Sequence, residues 1–318
     1  VDLKQLKALI TVAEVGSVTR AAEVLHLVQP AVTRQIRTLE RELGAPLFER
    51  TRQGMRPTQA GTVVIEHARR ALRELERARA EVRPSPGMVT GIVTVGLLES
   101  TADLLSGPLV AALARDQPGI SLRLFTAYSG HLQQWLDKGD LDLTLLYDLD
   151  STPSLNAQPL VREQLWAVAP PSACLRADTP VPFVQVVQNP LIMPAAGHAL
   201  RALIDAAAAR AAVDEAELNV AVSTNSMQMQ KRLVLAGHGW TILPGVGIAA
   251  EVADGTLSAA PLCEPEVRRQ LVLCTPRAGR TSPAVEVVAR ELTHQVHSAA
   301  GQDRWPSAQP AAQPRPSK

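Results

Sequence analysis

The stretch Leu27-Val28-Gln29-Pro30-Ala31-Val32-Thr33-Arg34-Gln35-Ile36-Arg37-Thr38-Leu39-Glu40 limits the possible folds of this chain more than any other. On a helix starting at Gln29, Val32, Ile36 and Leu39 recur at i, i+4 and i+7 and form one inward stripe, while Gln29, Thr33, Arg34 and Arg37 point elsewhere. The outward residue types suit a major groove. Arginine can fork onto guanine O6 and N7, glutamine onto adenine N6 and N7, and threonine can offer a hydroxyl to phosphate or a methyl to thymine. A solvated helix surface has the same composition, so the flanking sequence must decide between the two.

Before it, Leu3, Leu6, Leu9/Ile10 and Ala13 make a helical stripe closed by Gly16. Ser17 is placed to cap a short second helix through Leu25, with Ala21, Ala22 and Leu25 inward. Small Ala22 and a short link suit two tightly crossed helices. After it, Gly44 ends the helix, and Ala45 to Thr58 reads as two short extended segments around a Gln53-Gly54 turn carrying Arg50, Arg52 and Arg56. That is a winged helix-turn-helix, with wing arginines suited to phosphates or a narrow minor groove.

Residues 58–82 predict one long helix capped by Thr58. Val64, Ala68, Ala71, Leu75, Ala78 and Val82 alternate four and three apart, a heptad seam whose simplest partner is the same helix of a second subunit. Packing against the chain's own core is the alternative. Arg83-Pro84-Ser85-Pro86-Gly87 then reads as a hinge.

Charge separates the same segments. Residues 1–83 hold 15 Lys+Arg against 10 Asp+Glu, whereas the remainder holds 17 against 21, so a polyanion-binding module is joined to something acidic. No apolar run approaches a membrane span of about 20 residues, and Asp2, Lys4 and Lys7 do not fit a secretory leader, so the expected location is cytoplasmic. Cys174, Cys263 and Cys274 lack metal-ligand spacing and read as buried reduced thiols. No cofactor or metal is expected. From Gly91 onward, strand-like and helix-like segments alternate, which implies an α/β sheet with its ligand crevice at strand carboxyl ends.

The first 83 residues resemble the DNA-binding region of LysR-type transcriptional regulators. The first-helix leucines, the paired alanines, Gln29-Pro30-Ala31-Val32-Thr33-Arg34-Gln35-Ile36, Leu39-Glu40, Leu43-Gly44, Leu47-Phe48-Glu49-Arg50 and Pro57-Thr58-Gln59-Ala60-Gly61 follow the family's order and spacing. Val28 departs from it, since a serine usually precedes Gln29; losing that cap is worth about 1 kcal/mol. A looser resemblance to the family's effector-binding domain, and so to periplasmic binding proteins, rests on Gly139-Asp140-Leu141-Asp142, Ala236-Gly237-His238-Gly239 through Pro244, and Gly255-Thr256-Leu257.

The resemblance implies a multidomain α plus α/β chain. Residues 1–58 form a winged helix-turn-helix, 59–83 a linker and dimerisation helix, and 84–90 a hinge. Residues 91–298 form a two-lobed α/β effector domain like a periplasmic binding protein, with lobe I from 91–161 and 267–298 and lobe II from 162–266. Residues 299–318, rich in Pro, Ala, Gln and Ser, read as a disordered tail.

It further implies a regulator of transcription, not an enzyme, that binds promoter DNA as a homodimer or homotetramer, with RNA polymerase as a further partner. Gln29, Pro30, Thr33 and Arg34 are expected at the groove, Arg50, Arg52 and Thr58 on the DNA backbone, and Arg37 either on DNA or in a surface ion pair. A small effector is expected between the lobes at Ser100, Thr101, Ser129, Thr224, Asn225 and Ser226. Helix N-termini there would attract an anion such as a carboxylate, with His198 and Arg201 as countercharges. A solute carrier would explain residues 91–297 but leaves the basic first quarter unexplained. A hydrolase would need a nucleophile and base pair that no motif supplies.

Overall fold

Asp2 opens the first helix, α1 (Leu3–Val15), with a reciprocal cap: its carboxylate accepts from the Gln5 N–H at 2.8 Å, and the Gln5 side chain accepts from the Asp2 N–H at 2.8 Å. The computed structural model describes residues 1–52, 54–82, 89–147, 153–214, 218–277 and 281–311, which fall into two units. In the first, Ser17 caps α2 (Val18–Val24), and a short link leads to α3 (Gln29–Leu43). Gly44, at φ 70°, closes α3 in the left-handed conformation. The wing is an antiparallel hairpin of β1 (Phe48–Thr51) and β2 (Gly54–Pro57), with Arg50 opposite Met55; Gln53, at its expected turn, lies outside the described residues.

Close backbone approaches fix the wing. The Met55 N–H donates to the Gly16 carbonyl at 2.8 Å. A β-carbon on Gly54 would sit 2.5 Å from that same oxygen, and one on Gly61 only 2.0 Å from the Leu47 carbonyl, so both positions need glycine. Gly61 belongs to α4 (Gln59–Val82), whose start is capped by Thr58 Oγ1 accepting from the Gly61 N–H at 3.0 Å. Leu9 and Val12 of α1, Ala21 and Ala22 of α2, and Val32, Ile36 and Leu39 of α3 meet in one core with Leu47, Phe48, Ile65 and Ala68. Each of the larger side chains there contributes about 1.5–3 kcal/mol through burial.

The second unit begins with a strand-helix alternation: β3 (Gly91–Leu98), α5 (Glu99–Asp116), β4 (Ile120–Ala127), α6 (Ser129–Asp137) and β5 (Leu143–Tyr147). β3 pairs in parallel with β4 and β5. The 15-residue β6 (Leu155–Ala169) then runs through both cores. Beyond it come β7 (Val181–Pro182), α7 (Phe183–Val187), β8 (Leu191–Pro194), α8 (Ala199–Arg210), β9 (Val220–Thr224), α9 (Met227–Leu235), β10 (Thr241–Pro244), α10 (Ala249–Ala253) and β11 (Ser258–Cys263). The chain returns through β12 (Arg268–Pro276), α11 (Pro283–Gly301) and β13 (Gln309–Pro310). The main sheet runs β4-β3-β5-β12-β6-β11-β7, with β10 and β13 also on β6 and β8-β9 as a separate parallel pair. One core contains Val161 of β6 and the next contains Leu165, so the packing changes lobe while the strand continues. No described helix is long and apolar enough to cross a membrane.

Two expectations need correction. The reading of residues 299–318 as a disordered tail fails over the described part: Trp305 is 1% exposed in the first lobe's core, β13 pairs with Arg162 and Val161 of β6, and the Ala311 N–H donates to the Leu160 carbonyl at 3.0 Å. One buried indole outweighs a polar, proline-rich composition. Residues 312–318 lie outside the described set, as do 83–88, which contain most of the expected hinge. The cysteines are not uniformly buried: Cys274 is, Cys263 is half-buried and Cys174 is exposed. The segments around β7, α7, α10 and β11 have no counterpart in the sequence reading.

Candidate functional site

In the first unit, α3 packs through its inner face and exposes polar and basic residues on its outer face. Val32, Ile36 and Leu39 are 0%, 5% and 0% exposed; Gln29, Pro30, Arg34 and Arg37 are exposed and Thr33 half-buried. The Gln29 amide donates to Thr33 Oγ1 at 3.3 Å, which pre-orients both side chains at the helix start. Arg50 on β1 and Arg52 in the turn are exposed. Thr58 has another job: its hydroxyl donates to the Pro46 carbonyl at 2.7 Å while capping α4, so it ties helix to wing. Val28, 70% exposed, offers α3 no side-chain cap.

The heptad residues divide. Ala68 is buried and Val64 half-buried against the unit's own core, whereas Ala71, Leu75 and Ala78 are exposed. The first turns of α4 therefore follow the own-core alternative, and an apolar surface remains on the later turns. The Val82 side chain lies outside the described residues.

The second unit holds a cleft of about 550 Å³, its solvent mouth included, between the two lobes. The first lobe contributes Glu99, Ser100, Tyr128, Ser129 and Tyr147, the second His198, Thr224 and Gln230, and Arg269 projects from β12. Leu98, Leu200, Leu203 and Leu243 make its walls apolar. Ser100 Oγ and the Tyr147 hydroxyl lie 3.3 Å apart, and Ser129 Oγ accepts from the Tyr147 N–H at 3.2 Å. Beneath them is a buried ionic cluster. Arg269 Nε donates to Glu163 Oε1 at 2.8 Å, the guanidinium carbon sits 3.3 Å over the Tyr147 ring, and Trp305 Nε1 donates to Glu163 Oε2 at 2.6 Å. Burial pushes the Tyr147 hydroxyl well above its ordinary value.

Of the expected effector residues, Ser100, Ser129, His198 and Thr224 line the cleft. Thr101 is fully buried with its hydroxyl on the Leu98 carbonyl at 3.1 Å. Asn225 is exposed, and Ser226 caps α9 through the Met229 N–H at 3.2 Å; neither is among the lining residues. The two expected countercharges are engaged within the chain. Arg201 is outside the lining and binds Asp205 at 2.7 Å. His198 caps α8 by accepting from the Leu200 N–H at 3.0 Å, and burial with the neighbouring Arg269 and His131 charges pushes its pKa down to about 4, so the ring is neutral near pH 7.

Sequence reasoning missed Glu99, Tyr128, Tyr147, Gln230 and Arg269. Glu163 lies between Arg162 and Gln164, and Arg269 between Arg268 and Gln270, so each reads along the chain as part of a short polar run and neither stands out as a charge bound for the core.

The comparisons with known proteins follow this division. The model for bacterial regulatory helix-turn-helix proteins of the lysR family matches residues 3–62, and that for the LysR substrate binding domain matches residues 86–296. The HTH-type transcriptional regulator BbuR of Bordetella bronchiseptica is 31% identical over 305 residues, covering 96% of this chain and 93% of that protein. The nitrogen assimilation regulatory protein nac of Klebsiella aerogenes is 28% identical over 295 residues, covering 92% and 94%. Among solved structures, a full-length OxyR variant from Pseudomonas aeruginosa superimposes with a TM-score of 0.72 at 21% identity, covering 99% of both chains. Full-length CbnR complexed with its target DNA superimposes with a TM-score of 0.70 at 21% identity, covering 94% of this chain and 100% of that one; at such identities the likeness is one of fold. A solute carrier would leave the first match unexplained, and the chain belongs to the LysR family of DNA-binding transcriptional regulators.

Proposed function

We propose that two copies of this chain, joined through the exposed apolar face of α4, set their α3 helices into successive major grooves of an inverted repeat, and that a small molecule in the interlobe cleft controls the assembly. One observation carries the DNA half: α3 turns every large apolar residue of its middle turns into its own core, leaving Gln29, Arg34 and Arg37 exposed. Such a face meets base edges with forked donors, while Arg50 and Arg52 on the wing meet phosphates. Ala71, Leu75 at 42% exposure, and Ala78 supply the apolar surface for a second copy. The CbnR complex with DNA supports this reading by analogy of fold.

A ligand in the cleft shifts the DNA-bound assembly only through its affinity difference between lobe arrangements. The test is selection of duplexes from a random pool by the full-length protein at modest salt. An inverted repeat with half-sites about one helical turn apart should be enriched; failure to enrich any sequence overturns the proposal.

A further inference from the structure

Resting on the reading of the cleft as the effector site, we infer that its ligand is an uncharged small molecule with an apolar body and a hydrogen-bond-accepting oxygen, not an anion. A protein holds a carboxylate with a cation that has donors to give or with the open amides of a helix N-terminus. In this cleft the chain's own carboxylates already occupy both.

Arg269 is the only Lys or Arg among the described lining residues. Its Nε and Nη2 lie 2.8 and 2.7 Å from Glu163 Oε1, and Glu163 is 0% exposed. Drawing Arg269 toward a ligand anion would strand the Glu163 charge in the core, which is costly. The next buried cation along α9, Lys231, is held by Glu251 at 2.5 Å and the Gly247 carbonyl at 3.1 Å. At the N-terminus of α9, the Met227 N–H donates to Glu99 Oε2 at 3.3 Å, and the Tyr128 hydroxyl bonds Glu99 as well. Glu99 therefore stands where a ligand carboxylate would gain most from α9, and it repels one.

A cation fares no better, because the Glu99 carboxylate it would seek is already taken by the Met227 N–H and the Tyr128 hydroxyl, and the remaining polar lining is neutral. Because His198 Nδ1 accepts from the Leu200 N–H, the proton of the uncharged ring belongs on Nε2, and Nε2 is buried with no hydrogen-bond partner. The Tyr128 ring stands edge to face with the His198 ring, centroids 4.1 Å apart, and an acceptor that brings no charge, such as a carbonyl, amide or alcohol oxygen, satisfies this donor when the ligand displaces that ring. Tyr147 and Ser100 add hydroxyls nearby, and the leucines take the apolar body.

The test uses the full-length protein and matched sets that differ only in charge: benzoate, benzamide and benzylamine, and the same three groups on cyclohexane. Binding is read by calorimetry and by the rise in melting temperature. Each amide should bind at least about tenfold more tightly than its acid and its amine, and His198→Phe should abolish that ratio, while loss of the α8 cap lowers the melting temperature of the protein with and without ligand alike. Equal or tighter binding of an acid or amine, or no response to any amide at millimolar concentration, overturns the charge preference. Binding that persists unchanged in Leu203→Trp, which fills part of the cleft, overturns instead the reading of the cleft as the ligand site.

Discussion

Replacing Trp305 tests whether the chain beyond α11 is part of the effector fold. The indole is 1% exposed and its Nε1 donates at 2.6 Å to Glu163, a fully buried carboxylate whose other oxygen takes Arg269. Trp305→Phe keeps most of the packing and removes a hydrogen bond to a charged group, a loss of about 1.5–3 kcal/mol. Trp305→Ala also opens a cavity, so its cost rises to about 3–5 kcal/mol or more. Urea unfolding followed by far-UV circular dichroism, on the transition of the effector unit, measures both. A double-mutant cycle with Glu163→Gln should return a coupling of about 1 kcal/mol or more, because the two groups share one bond. Should Trp305→Ala lie within about 0.5 kcal/mol of the parent, the range of a surface substitution, the packing of Trp305 and the pairing of β13 with β6 would both be refuted.

Three shorter predictions concern other parts of the molecule. Val28→Ser should supply the side-chain cap that α3 lacks and stabilise the DNA-binding unit by about 0.5–1 kcal/mol in thermal unfolding; destabilisation would contradict the observed helix start. Leu75→Glu should halve the mass seen in light scattering by burying charge in the α4 seam, and an unchanged mass would reject that seam. His198, depressed from its ordinary 6.5 to about 4 in the fold, binds its proton more readily when unfolded. Its contribution is therefore complete above pH 6.5 and is lost as pH falls toward 4. His198→Asn should flatten the acid-side loss of stability over that interval by up to about 2 kcal/mol, allowing for partial exposure; an identical pH profile would show that the ring is not held neutral.

The DNA-binding unit was legible because its signals are local. The stripe of Val32, Ile36 and Leu39, the Ser17 cap and the Gly44 terminator each lie within one or two helical turns, and short-range periodicity records them directly. The cleft was only half legible for the opposite reason. Ser100 and Ser129 follow strands and Thr224 ends one, where a strand-then-helix rhythm points to a crevice. Arg269 and Glu163 are 106 residues apart and meet only because β12 and β6 pair in the register that sets Arg269 opposite Glu163. No window along the chain contains that register. Arg201 misled because a basic residue on a helix beside the cleft has a nearer partner, Asp205, one turn away. Trp305 was hidden by its polar, proline-rich surroundings, although one aromatic in such a segment is itself a reason to expect an anchor.

The most direct measurement is the affinity of the full-length protein and of Arg34→Ala for the selected duplex and for random duplex, at several salt concentrations. If α3 reads base edges, Arg34→Ala should lose about 1–3 kcal/mol on the selected site and much less on random DNA, where both proteins should weaken steeply as salt rises. Equal losses on both duplexes would mean that Arg34 contributes charge alone, and that α3 is not the element that reads sequence.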